Sequence, residues 1–199
     1  MVKKVLLIDV EFDKAIKEGS QLQAKWSHHP LGLMYLISSA QKKFPDIEFK
    51  ILHTITCENV GEDVKKIISE FAPDLIGIRA LSICAGEFKT MAEIIRQEAP
   101  NTPLIAGGPY SSASYKDILA SPPLVDLVVI GEGEITFVEL ITYLNENGSL
   151  PSSLTGTVVP LQGAKVKVND ARPIIDNIDI IPAPAYDAIK LEDYKGISN

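Results

Sequence analysis

The sequence predicts an α/β fold with a parallel sheet covered by helices on both faces. Three observations carry this expectation. Short apolar runs alternate strictly with stretches of helical period. The first run, Val5-Leu6-Leu7-Ile8, is apolar without interruption, the pattern of a strand buried on both faces. Strands separated by helices cannot pair as hairpins. They pair in parallel, through right-handed crossovers.

The elements follow in order. After the first strand a polar loop extends from about Glu11 to His29. Pro30 opens a helix, where its missing N–H is not needed, and Leu33, Leu36, Ile37 and Ala40 recur at helical spacing to about Lys43. Phe49 to Leu52 reads as a second strand. Val60 to Phe71 reads as a helix with Val64, Ile67, Ile68 and Phe71 on one face. Asp74 to Ala80 holds a third strand around Leu75-Ile76-Gly77-Ile78. Phe88 to Ala99 is helical, with Met91, Ile94 and Ile95 inward. Pro103 to Ala106 is a fourth strand, ended by Gly107-Gly108-Pro109, and Tyr115 to Leu119 is a short helix. Val125 to Ile130 is the fifth strand, and Thr136 to Leu144 a helix that stops near Gly148.

Five such units favour a doubly wound, flavodoxin-like (Rossmann-like) five-stranded parallel sheet over the six-strand dinucleotide order. The last fifty residues differ. Gly156 to Pro160 and Lys165 to Val168 flank Gly163 as a small β-hairpin, and Arg172 to Asp187 is an extended linker rich in Pro, Ile and Asp. The expected division is residues 1–150 for the sheet domain and 151–199 for hairpin and linker.

Composition narrows the function. The 199 residues are enough to bury a core without staples. Lys and Arg number 19 against 26 Asp and Glu, a net charge of −7 with no basic stripe, which argues against a nucleic-acid partner. Two cysteines, Cys57 and Cys84, make no disulfide framework and by themselves no cluster or zinc site; both are expected to be reduced, buried thiols. No apolar run approaches the roughly 18 residues of a membrane span. The short apolar N-terminus ends in Asp9, unlike a signal peptide, so no membrane and a cytoplasmic location are expected.

Ligands in doubly wound sheets sit beyond the carboxyl ends of the strands. After the first strand there is no G-x-G-x-x-G for a pyrophosphate and no hydroxyl-rich phosphate loop, only Asp9-Val10-Glu11. His28 and His29 stand before the first helix, able to ligate a metal or simply be solvated. After the third strand Arg79 stands where a phosphoryl-accepting receiver would need aspartate, and Ala80 and Ser82 leave room. Gly107 and Gly108 lack Cβ atoms, so a flat ring or nucleotide-like tail could lie against the backbone, unless the pair only makes a tight turn. Gly131-Glu132-Gly133-Glu134 offers bare amides before a helix, with Glu134 complementing the helix dipole.

Together these loops resemble the N-terminal cobalamin (B12)-binding domain of B12-dependent radical SAM enzymes, over nearly the whole chain. Pro30-Leu31-Gly32-Leu33-Met34-Tyr35-Leu36 is similar to that family's P-L-G-L-x-Y-L. Gly107-Gly108-Pro109 matches its double glycine. Val125 to Phe137 resembles V-D-x-V-V-x-G-E-G-E-x-T-F, the most specific match. Arg172-Pro173-Ile174 and Asp176 to Tyr194 resemble the stretch that leads into the radical SAM barrel.

The resemblance implies a cobalamin whose nucleotide tail enters the sheet between the third, fourth and fifth loops, with the corrin across the carboxyl edge. It assigns cofactor contacts to His29, Pro30, Leu31 and Gly32; to Arg79, Ala80, Leu81 and Ser82; to Gly107, Gly108, Pro109 and Tyr110; and to Gly131, Glu132, Gly133 and Glu134. The resemblance makes His29 the candidate axial cobalt ligand, the alternative being a cobalt that the protein does not ligate, as in relatives that lack this histidine. Tyr110 and Trp26 are candidate shields for the ring.

Three departures stand out. Domains with a histidine ligand carry D-x-H-x-x-G, whereas here Ser27 replaces the aspartate before His29. Their S-x-L becomes Arg79-Ala80-Leu81, so a serine contact is lost there, with Ser82 as its candidate replacement or Arg79 reaching a phosphate or propionamide. The C-x-x-x-C-x-x-C that would hold a 4Fe-4S cluster with S-adenosylmethionine is missing. The expectation is a non-catalytic module whose partner is a radical SAM barrel acting on a small-molecule substrate. The alternative is a degenerate domain that binds no cobalamin and positions substrate or a partner.

Overall fold

The computed structural model describes residues 1–11, 29–120 and 122–194. Five strands, β1 (Lys4–Val10), β2 (Glu48–His53), β3 (Leu75–Ala80), β4 (Leu104–Gly107) and β5 (Leu127–Val129), alternate with five helices. The helices are α1 (Leu31–Gln41), α2 (Val60–Phe71), α3 (Ala85–Glu98), α4 (Gly108–Ile118) and α5 (Glu134–Asn147). All five strands are parallel in the order β2-β1-β3-β4-β5, the flavodoxin-like order.

The strict alternation of strand side chains builds two cores. Leu6, Ile8 and Val10 of β1 face one way, into a layer with Phe88, Met91 and Ile95 of α3 and Val64, Ile68 and Phe71 of α2. Val5 and Leu7 face the other way, toward Leu33 and Ile37 of α1 and Phe137, Leu140 and Ile141 of α5. A central parallel strand covered on both sides is apolar through its middle, which is why Val5 to Ile8 of β1 read as one run.

Three elements differ from expectation. The short helix expected at Tyr115–Leu119 is the end of α4, which starts at the double glycine. Pro109 sits in its first turn, and Ser114 makes a kink (φ −119°, ψ 22°). The Ser-rich stretch has little helix propensity. Packing compensates: Tyr110 meets Phe88 edge-on with ring centroids 5.1 Å apart. The helix expected at Phe88–Ala99 starts a turn earlier, after a 3₁₀ turn over Ser82–Cys84. The last helix runs past Leu144 to Asn147, where Gly148 (φ +68°) closes it by donating its N–H to Leu144 O.

The hairpin, β6 (Thr157–Pro160) and β7 (Val166–Val168), does not stand apart. It extends the five parallel strands into a seven-stranded sheet, with β6 antiparallel on β5. It thereby covers an edge that β5 would leave open. Residues 172–194 follow as three 3₁₀ turns in extended chain. Cys57 and Cys84 are both buried thiols. Among the described residues no helix is long and apolar enough to cross a membrane.

Candidate functional site

Beyond the strand ends, on the α1/α5 face, lies a cavity of about 410 Å³. Its walls follow from the same alternation. Leu7 of β1, Gly77 of β3, Ile105 of β4 and Val129 of β5 point to this face. Two residues further along each strand stand Asp9, Arg79, Gly107 and Gly131. The inner wall is therefore apolar and the rim carries charge or bare backbone. Leu33 and Leu36 of α1 and Phe137 of α5 close the outer side.

Glycine makes the room. Gly107 and Gly131 have side-chain space that is open into the cavity: the nearest atom to a Cβ on Gly107 would be Val129 Cβ at 4.0 Å, and none lies within 4 Å for Gly131. Gly131 also has φ +73°, which disfavours any other residue. Ser112 Oγ accepts from Gly131 N–H at 3.4 Å and ties the α4 turn to the β5 loop.

Arg79 is the cation in the lining, opposite Glu132 and Glu134. Its Nη1 donates to Asp9 Oδ2, the residue beside it in register on β1. Burial pushes the Asp9 carboxyl up to about 6, although the Arg79 guanidinium pulls it down and Glu11 adds a smaller push upward. Among the described residues Asp9 Oδ1 and Glu134 Oε2 are buried without a hydrogen-bond partner. Donor atoms of Asp9, Glu11 and His53 lie within 4.8 Å of one another, but Arg79 already supplies positive charge to Asp9.

The C-terminal segment seals the neighbouring strand ends. Tyr194 OH meets His53 Nδ1 at 3.0 Å, and burial followed by the Asp9 charge pushes the phenol above its ordinary range. His29 packs edge-on against Tyr194 at 4.8 Å and Tyr186 at 6.2 Å. Arg172 fastens the start of this segment to α5, donating to Thr136 Oγ1 at 2.7 Å and to Glu139.

Of the residues singled out in the sequence, Gly32, Arg79, Gly107, Gly108, Pro109, Gly131, Glu132, Gly133 and Glu134 line one cavity. The others sit elsewhere. His29 lies in the tyrosine cluster. Pro30 is buried at the α1 cap, Leu31 is exposed, and Leu81 and Ser82 are exposed after β3. Ala80 and Tyr110 belong to the opposite core. Trp26, Ser27 and His28 lie outside the described residues. Sequence reasoning missed Leu7, Gly77, Ile105 and Val129. Counting two residues back from each strand-end position would have found them.

Fold and site thus define a doubly wound α/β domain with a glycine-lipped slot at its carboxyl edge. A B12 binding domain family model matches residues 22–141, and the chain belongs to the B12-binding domain family. It is 32% identical to an uncharacterized methyltransferase of Pyrococcus horikoshii over 98% of this chain and 40% of that protein. It is 22% identical to the anaerobic magnesium-protoporphyrin IX monomethyl ester cyclase of Rubrivivax gelatinosus over 88% of this chain and 31% of the relative. The fold superposes on the cobalamin-dependent S-adenosylmethionine radical enzyme OxsB, solved with aqua-cobalamin and S-adenosylmethionine. The TM-score is 0.77 at 18% identity, covering 98% of this chain and 25% of that one. The chain therefore spans well under half the length of these relatives.

Proposed function

We propose that this chain is the cobalamin-binding module of a B12-dependent radical SAM enzyme. The observation that carries the reading is the slot, which lies at the carboxyl edge and is apolar inside, glycine-bare at Gly107 and Gly131, and polar at the rim. These residues fit the group: a planar base needs bare backbone, and an amide-fringed corrin needs acceptors such as the unpartnered Glu134 Oε2. Leu7, Gly77, Ile105 and Val129 would hold the nucleotide tail. Gly107, Gly108, Pro109 and Gly131 to Glu134 would meet the corrin side. Bound cobalamin supplies a cobalt centre for methyl transfer or radical chemistry. The chain's own residues bind it, orient it and keep water from the tail.

His29 is engaged with Tyr186 and Tyr194, which favours a cobalt that His29 does not ligate. Residues 1–150 carry the cofactor, and 151–199 form the hairpin and the linker that leads into a radical SAM barrel acting on a small molecule in the cytoplasm. The greater length of the relatives supports such a partner domain.

The test is incubation with hydroxocobalamin, desalting and a visible spectrum, beside His29→Ala. About one retained equivalent, with the same spectrum in both proteins, is the expected result. No retained colour in folded protein overturns the reading in favour of a degenerate domain. A spectral shift in the variant makes His29 the ligand.

A further inference from the structure

We infer that Arg79, held by Asp9, is the anchor for the phosphodiester of the cobalamin tail, and that it sets selectivity for corrinoids that carry a phosphate. This rests on the cobalamin reading and names the contact that replaces the serine of the S-x-L pattern.

The argument starts from position. Arg79 stands at the rim, two residues beyond Gly77 on β3, directly above the apolar slot. A ligand whose base fills the slot must carry its next polar group past this rim. The guanidinium is partly exposed there, while its partner Asp9 is buried. Only Nη1 is committed to Asp9, which leaves the Nη2 and Nε donors for a second oxyanion. The bare backbone of Gly108 flanks that side: a Cβ there would sit 3.7 Å from Arg79 Nε and 3.4 Å from its Cβ. The two carboxylates of the lining, Glu132 and Glu134, follow β5, two strands away from β3. An anion is thus attracted to the Arg79 side, and amide donors to the other. A lysine could not bond Asp9 and a phosphate in one plane, because it lacks the fork. Asp9 is a positioning residue. It fixes one arm of the guanidinium so that little rotamer freedom is lost when the ligand arrives.

The experiment measures affinity for aquacobalamin, for cobinamide phosphate, and for cobinamide, which lacks phosphate and base. The proteins are wild type, Arg79→Gln, Arg79→Lys and the double variant Asp9→Asn/Arg79→Gln, which avoids a buried unpaired carboxylate. The expected result is a loss of about 10- to 100-fold for both phosphate-bearing ligands in Arg79→Gln and in the double variant. Cobinamide binding stays within about 2-fold, and Arg79→Lys recovers part of the loss. Equal loss for all three ligands, or no loss, in a variant with the wild-type melting profile overturns the assignment alone. Binding of none of the three by folded wild type overturns the cobalamin reading and this assignment with it.

Discussion

The two faces of the sheet are built from the same strands and the same kinds of residue, yet one packs as a layer of buried side chains and the other carries a cavity at its carboxyl end. On the α2/α3/α4 face, Leu6, Ile8, Ile76, Leu104 and Val128 meet Phe88, Met91 and Ile95 in a packed layer. On the α1/α5 face, Leu7, Ile105 and Val129 are interrupted by Gly77 and rimmed by Gly107 and Gly131, and the cavity opens between them. A few missing side chains, all at one end of one face, open a cavity in what would otherwise be core. The rest of that face stays packed around Val5, Leu75 and Leu127.

Phe88→Ala should strain this comparison most. Phe88 is fully buried on the packed face, so truncation should cost about 3–5 kcal/mol in urea unfolding and leave corrinoid affinity unchanged in the folded fraction. A small loss would mean that face is not close-packed.

Asp9 marks where the slotted face carries charge. Its carboxyl is raised from 3.8 to about 6, so the folded state holds the proton more tightly than the unfolded chain. That contribution is fully present below about pH 4 and is lost as pH rises through about 6, amounting to about 3 kcal/mol. Arg79, Glu11, His53 and Tyr194 surround the group. Unfolding midpoints of wild type minus Asp9→Asn, taken from pH 4 to 8, should show this fall. A flat difference would place the proton elsewhere.

Filling the slot should do the reverse of Phe88→Ala. Gly107 has an extended backbone (φ −151°) that accepts a side chain, so Gly107→Val should change stability by under about 1 kcal/mol. It should weaken cobalamin about 100-fold in spectroscopic titration. Unchanged affinity would move the ligand out of the slot.

The smallest effect concerns the latch beside the slot. Tyr194→Phe removes the hydrogen bond to His53 and should cost about 1 kcal/mol by thermal denaturation, with the cobalamin spectrum unchanged. A changed spectrum would couple the C-terminal segment to the cofactor.

Much of this was legible in the amino-acid order. The uninterrupted run at Val5–Ile8 and the alternation of units carried the parallel sheet and its order, because burial on both faces demands apolar residues throughout. Gly107-Gly108-Pro109 and Gly131 to Glu134 were legible as candidate site residues because glycines just past strand ends leave the backbone bare. Other features needed the third dimension. His29 was legible as a candidate ligand from its motif, whereas its neighbours Tyr186 and Tyr194, more than 150 positions along the chain, were not. α4 formed through a serine-rich stretch because packing of Tyr110 on Phe88 outweighs local propensity. The hairpin was visible, but its place on β5 was not, since edge pairing depends on which strand ends the sheet. Local pattern determined which elements form and which loops carry glycine. Only the tertiary structure decided that Asp9 pairs with Arg79, and that Leu7, Gly77, Ile105 and Val129 become one wall, because strand register joins residues far apart in sequence.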